Sequence, residues 1–443
     1  MRAAPGAAAA LLLWALLVPA GALRAQGTDE IRLEDIEKEI ARTVERPYSL
    51  GGFLEFQPTL FGLDRDAAFY RLQFFDRDEG ATAAQYDLRL RLEGSYRKDI
   101  FSLFVRADAL TTQGDLDSES RIDLLEGFGS LKPVPGLALD AGKKVVKWGK
   151  GYAWNPVAFI DRPKNPEDPE LALEGFYLVA GEAIRSFDGP LKTVAFTAIA
   201  LPVDRDVNED FGETDHLNVA AKLYALLFDT DLDVMVFTGG SRTTRFGVDF
   251  ARNILTNFEV HGEWALIRDV EQAPINERGQ AMRRVSDVMS YLVGIRYLTE
   301  RETTFIVEYY HNGPGFTGGQ MEDFFRFVEA GDAAFRSTGN TTAIRRAITL
   351  AEGAYGRPNP MRSYFYARAS QKEPFDILYF TPALTTIVNV EDRSFVVIPE
   401  LIYSPVTNLE LRFRAAALVG EPRTEYGEKQ NDYRLELRVR YYF

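Results

Sequence analysis

The segment YRLELRVRYYF at residues 433–443 places Tyr433, Leu435, Leu437, Val439, Tyr441 and Phe443 on one side of an extended chain. Arg434, Glu436, Arg438 and Arg440 fall on the other. Successive side chains of a strand point to opposite faces, so this is a strand with one apolar and one charged face. The same period recurs at Leu409–Val419 (against Glu410, Arg412 and Arg414), at Tyr86–Leu92 (against Asp87, Arg89, Arg91 and Glu93) and at Phe101–Ala109 (against Arg106 and Asp108). It returns at Leu217–Leu223, at Phe258–Leu266 against Glu259, His261 and Glu263, and at Met289–Tyr297. A helical period of 3.6 would scatter these charges around the axis. Strands of about ten residues with alternating faces, repeated along a whole chain, are the pattern of a transmembrane antiparallel β-barrel.

Composition narrows the function classes. The formal charge of −14 over 443 residues argues against a nucleic-acid partner, which wants clustered positive charge. The absence of cysteine removes disulfides, thiolate metal sites and cysteine nucleophiles together. At the N-terminus, Arg2 precedes an apolar run around Ala7–Pro19, and small residues follow; the pattern predicts a secretory signal over residues 1–25, cleaved after Ala22 or Ala25. That run is shorter than the roughly 20 residues of a membrane-spanning helix, and no helix-length apolar run follows it, so any membrane span is made of strands. Residues 26–48 then read as an amphipathic helix with Leu33, Ile36, Ile40 and Val44 on one stripe, a periplasmic cap on the barrel mouth or a docking element. The barrel is expected over 49–443.

The links between strands alternate in length. Short, turn-rich links such as 96–99, 132–136, 187–190 and 405–408 alternate with mostly longer ones such as 61–82, 148–170, 312–360 and 421–431, the habit of barrels with short periplasmic turns and long outer loops. Counting between them gives about 18 strands, with 16 as the nearest alternative and Ala67–Phe75 readable as strand or loop. The chain therefore resembles the Gram-negative outer-membrane porins, in particular the larger substrate-selective or alginate-exporter-like barrels. Residues Tyr433, Leu435, Leu437, Val439, Tyr441 and Phe443 look like the C-terminal assembly signal of that class. The resemblance implies outer-membrane lipid as surroundings, the barrel assembly machinery and periplasmic chaperones as partners in biogenesis, and small polar solutes as cargo. It leaves a homo-oligomer open and carries no signature for one solute.

Function in such a barrel depends on what narrows the lumen. The link KWGKGYAWNPVAFIDRPKNPEDPEL, residues 147–171, carries Trp148, Tyr152, Trp154, Asp161, Arg162, Glu167 and Asp168 and is dense in glycine and in residues restricted by a following proline. By resemblance the third outer loop folds inward as a constriction; the alternative is a rim loop with interfacial aromatics. The link 312–360 is too long to be unstructured and contains two short helices with stripes Phe324, Phe325, Val328 and Ile344, Ile348, Ala351, forming a lid or a self-packed hairpin. Arg89, Arg91, Arg106, Arg412, Arg414, Arg434, Arg438 and Arg440 make a basic arc of channel wall, with Glu259, Glu263 and Glu308 on the far side. The two set up a transverse field, or pair along the wall with Asp87, Glu93, Asp108, Glu410 and Glu436.

Other classes read less well. His261 between Glu259 and Glu263 has the look of a metal site or a base, yet lumen residues are polar in any case. His311 in EYYHNGPG faintly resembles outer-membrane phospholipases but lacks a nearby serine in that stretch. The sequence predicts no cofactor and no metal, and favours a passive channel over a barrel that sheathes a partner, such as an export apparatus or an electron-carrying lipoprotein, and over a barrel hydrolase.

Overall fold

The computed structural model describes residues 46–77 and 80–443. The signal segment 1–25 and all but the last residues of the 26–48 helix lie outside them; Tyr48 is already the first residue of β1. Eighteen strands follow in meander order. They are β1 (Tyr48–Leu63), β2 (Thr82–Lys98), β3 (Phe101–Gly114), β4 (Ser118–Val134), β5 (Leu137–Lys144) and β6 (Phe176–Ser186). Then come β7 (Leu191–Val203), β8 (His216–Leu227), β9 (Thr230–Thr238), β10 (Arg245–Leu255), β11 (Phe258–Gln272) and β12 (Arg284–Leu298). The ring ends with β13 (Thr303–His311), β14 (Ser363–Gln371), β15 (Phe380–Asn389), β16 (Phe395–Val406), β17 (Leu409–Val419) and β18 (Asn431–Tyr442). All pair antiparallel with their sequence neighbours, and β1 pairs with β18 from Phe53↔Tyr442 to Leu63↔Asn431. The ladder closes with Gly52 and Phe443 each donating an amide to the other's carbonyl, both at 3.1 Å.

Period two decides which way each side chain points. Leu50, Leu54, Phe56 and Leu60 of β1 are exposed, whereas Phe53, Glu55 and Thr59 between them are buried inside the ring. On β18 the outward series runs Tyr433, Leu435, Leu437, Val439, Tyr441, aliphatic in the middle and aromatic towards both ends. That is the lipid-facing belt and double aromatic girdle of a membrane barrel. No helix among the described residues is long and apolar enough to cross a membrane. At the short-turn rim, the two-residue connection Phe228-Asp229 has φ of 49° and 56°, the left-handed pair that matches strand twist in a tight hairpin.

Among the described residues, α-helices occur only in outer connections; the β14–β15 turn at the other rim holds a single 3-10 turn, Pro374–Asp376. Ala67–Phe75 holds helix α1 (Ala68–Gln73) and no strand. The long link contains α2 (Gly318–Thr338), opened by a Thr317/Gln320 capping box and ended at Gly339 with φ 73°, and α3 (Thr342–Leu350). Their stripes are buried: Phe324, Phe325, Val328 and Ile344 are sealed with α1, Tyr426 and the inward Leu292, Tyr364, Ile387 and Val396 of the barrel. The hairpin thus packs into the outer mouth.

The sequence predicts a polar lumen, and here the structure differs. Leu178, Ile199, Leu201, Met235, Phe237 and Ala265 point inward near the outer rim, where they form a second apolar cluster with Trp148, Val157, Phe159 and Ile160 of the β5–β6 connection. They are not solvated because that connection covers them.

Depth in the bilayer sets the cost of a charge on the outer face. Leu437→Arg, mid-belt, is expected to destabilise the barrel by about 2–4 kcal/mol and Tyr441→Arg, at the rim, by roughly 0–1 kcal/mol, as read by urea unfolding in lipid vesicles.

Candidate functional site

The connection 145–175 crosses the barrel interior and is tied to its walls by charged groups. On one side, Glu263 of β11 reaches into the backbone turn KGYAWNPV: its carboxylate accepts from the amides of Lys150 and Gly151 at 2.6 Å, from Asn155 Nδ2 at 2.8 Å and from the Val157 amide at 3.3 Å. Glu308 of β13 accepts from the amides of Tyr152 and Ala153 at 2.5 and 2.9 Å and meets His261 Nε2 at 2.9 Å. Both carboxylates are almost wholly buried, so the amides stand where solvent would. Glycine permits this approach: a Cβ on Gly149, whose φ is 99°, would lie 2.7 Å from Glu263 Oε1. Lys164 bridges the same turn by donating to the carbonyls of Gly151 and Tyr152.

On the other side, Asp168 sits in a cage of three guanidinium groups, Arg412 at 3.3 Å, Arg414 at 3.3 Å and Arg438 at 3.4 Å. Glu167 pairs with Arg434 at 2.6 Å. Burial alone would raise the Asp168 carboxyl, but Arg412, Arg414 and Arg438 outweigh it and hold the group below its ordinary value. Glu167 is likewise lowered, Arg434 overcoming burial. Asp161, which accepts from the amides of Val146 and Trp148 at 2.8 and 3.0 Å, is raised because burial prevails over those bonds.

With its closed eighteen-strand ring and inward-folded third outer connection, the chain resembles solved outer-membrane proteins. It is similar to Wzi, an outer-membrane protein of Escherichia coli involved in group 1 capsule assembly and described as a carbohydrate-binding β-barrel (TM-score 0.51, 10% identity, covering 91% of this chain and 86% of that one). It is also similar to OccK5 (OpdH) of Pseudomonas aeruginosa (TM-score 0.50, 14% identity, covering 89% and 98%). OccK2 (OpdF) of the same organism, solved in complex with glucuronate, matches at TM-score 0.50 and 12% identity over 89% and 98%. The chain has the outer-membrane porin fold. No protein-family model and no curated protein matches it, and at such identities the likeness speaks for the fold alone.

Within this porin fold, Arg412, Arg414, Arg434, Arg438, Arg440, Arg89, Arg91 and Arg106 lie on inward positions of β17, β18, β2 and β3, which with β1 form one contiguous arc. None is a free charge. Arg91 makes a bidentate pair with Asp108 at 2.7 Å, with Arg89 at 3.9 Å from the same acid. Arg106 bridges Glu93 and Glu126 at 2.8 Å, and Arg440 bridges Glu55 and Glu410. Glu400 of β16 binds Arg368, Arg412 and Arg414. Wall pairing and loop gripping therefore coexist. Glu263 and Glu308 do not confront the arginines across open water, since backbone amides of the connection intervene; Glu259 stays part-exposed, 3.4 Å from His261 Nδ1.

Above the connection lies a cavity of about 1200 Å³. Arg242, Arg245 and Arg357 line it and escaped the sequence reading: Arg242 and Arg357 sit in connections without alternation, and nothing local marks Arg245, which opens the β10 alternation with Phe246 and Val248, as their neighbour. Trp148, buried by the aliphatic cluster, lines both this cavity and a smaller one of about 120 Å³ that holds Asp140, Lys144, Glu182 and Lys222. Tyr152 and Trp154 stack among Tyr310, Tyr364 and Tyr366, and Arg162 pairs with Asp210 and Glu174. His311 lies 3.5 Å from Ser363 Oγ, but that hydroxyl donates to Glu391 at 3.0 Å and is buried, so the imidazole does not hold the serine as a base would.

Two outcomes follow from this geometry. Glu308→Ala leaves the amides of Tyr152 and Ala153 without an acceptor, at about 1–3 kcal/mol each, and is expected to speed hydrogen exchange at both amides and admit protease between 145 and 175. Because the folded values of Glu167 and Asp168 lie below those of free carboxylates, their ionised forms stabilise the docked connection above about pH 4. That contribution is lost only as pH falls through the lowered values. Exchange at 166–169, around these two carboxylates, should thus be the same at pH 7 and pH 5 after correction for intrinsic rates, and rise only under stronger acid.

Proposed function

We propose that the chain is a passive outer-membrane channel for small polar solutes in which the 147–171 segment is the selectivity element. The observation that carries this reading is the segment's double anchorage, to Glu263 and Glu308 on one wall and to Arg412, Arg414, Arg434 and Arg438 on the other. A loop pinned at both walls divides the lumen and leaves solutes a path defined by its side chains. Trp148, shared by the outer and inner cavities, is the residue that path must pass. Charged walls with low-dielectric surroundings favour polar over apolar cargo.

The two apolar clusters that occupy the outer half of the interior weigh against a sheath around a threaded protein partner, since the room left is of solute size. His261, sealed between Glu259 and Glu308, and His311, whose neighbouring serine is turned to Glu391, are assigned no catalytic part.

Purified mature protein in a planar bilayer should give steady single-channel openings with a measurable anion/cation permeability ratio under a salt gradient. Trp148→Ala should raise unit conductance about twofold or more; a barrel that stays silent, or a variant with unchanged conductance, would overturn this assignment of the path.

A further inference from the structure

The wall arginines each have a carboxylate partner, as do Arg91, Arg106 and Arg162 where they line the outer cavity, but three further arginines of that cavity do not. Arg242, in the short link between β9 and β10, lies with its guanidinium 3.7 Å from the Phe211 ring centroid and donates through Nε and Nη1 to the carbonyls of Phe211 and Phe159. Its remaining guanidinium nitrogen is left to the cavity. Arg245, at the start of β10, faces the same space; its Nε is shut off from solvent and has no hydrogen-bond partner among the described residues. Arg357, after α3, completes the group. Among the described residues no ion pair joins any of the three to a carboxylate. The nearest acid acting on Arg242, Asp210, is engaged by Arg162. Burial, and next the charge of Arg245, work against the Arg242 cation, with Arg162 and Arg357 adding to the repulsion.

The acids that share the cavity are engaged elsewhere, Glu126 by Arg106, Asp161 by the amides of Val146 and Trp148, Glu170 by Tyr152 and Asp210 by Arg162. Three guanidinium groups gathered there without a carboxylate of their own are costly and are relieved by an anion. Guanidinium forks match the planar or tetrahedral geometry of an oxyanion and grip it with paired bonds, which a spherical halide cannot exploit. We propose that Arg242, Arg245 and Arg357 form an oxyanion-binding site in the outer cavity, which takes a carboxylate, phosphate or sulfate group of a solute before it reaches Trp148. The three side chains line the cavity from the β9–β10 link, the start of β10 and the segment after α3, rather than from the outward strand faces that meet lipid. The inference rests on the channel reading for the route by which the anion arrives and departs.

The test is calorimetric titration of the full mature protein, in detergent at low ionic strength, with inorganic phosphate, and with chloride for comparison. The wild type should bind phosphate in preference to chloride. Arg245→Gln and Arg357→Gln should each weaken phosphate binding about tenfold, while Arg301→Gln, in the β12–β13 turn at the other rim, should not. Retention of the heat-modifiable electrophoretic shift of folded barrels identifies variants that still fold. No phosphate binding by the wild type, equal binding of chloride, or equal phosphate binding by all variants would overturn the site. Conductance of the same preparations separates the two readings: steady openings without phosphate binding leave the channel and remove the site, and phosphate binding by a silent barrel does the reverse.

Discussion

In hydrocarbon a peptide N–H or C=O without a partner costs several kcal/mol, and no water is at hand to supply one. The whole architecture answers that constraint. Every strand finds both neighbours only because β1 accepts β18, so the ladder has no edge. Once it is closed, period two sends one set of side chains to lipid and the other inward, and the exposed series from Leu50 to Leu60 and from Tyr433 to Tyr441 follows without further specification.

The interior obeys a second constraint. A ring of eighteen strands is too wide to be filled by its own inward side chains, and the chain fills part of it with outer connections. Those connections bring backbone amides and charges into a partly dry space, where each needs a counterpart. Glu263 and Glu308 answer the amides of the 147–171 segment, and the arginine arc answers Glu167 and Asp168. A buried carboxylate in the midst of three guanidinium groups adds geometric definition more surely than stability, and a constriction needs its side chains held in fixed positions.

The fold was legible because period two is local: ten residues suffice to read a strand, and a turn such as Phe228-Asp229 lies beside the strands it joins. The helices α2 and α3 were legible for the same reason, from the stripe of Phe324, Phe325 and Val328. The inward apolar patch was not. Met235 and Phe237 alternate with Val234 and Val236, so both faces of β9 are apolar beyond Asp233, and nothing local says that Phe159 of a distant connection covers the inner one. Glu263 and Glu308 could be marked as lumen-facing, but their engagement with backbone amides, which carry no residue identity, leaves no trace in sequence. Arg357 joins the neighbouring Arg242 and Arg245 from more than 100 residues further along the chain, a proximity that no local pattern announces.

The doubly tied segment has a mechanical side as well. It fastens β11 to β18, which stand seven strands apart around the ring. A hollow cylinder in a fluctuating bilayer yields most easily by flattening to an ellipse, and a chord fixed at both ends resists that mode along its own direction. Squeezing along this chord shortens it and squeezing at right angles lengthens it, so both strain its charged contacts, whereas flattening oblique to it leaves its length nearly unchanged. The barrel is therefore braced along that chord, and its cross-section breathes most easily obliquely to it.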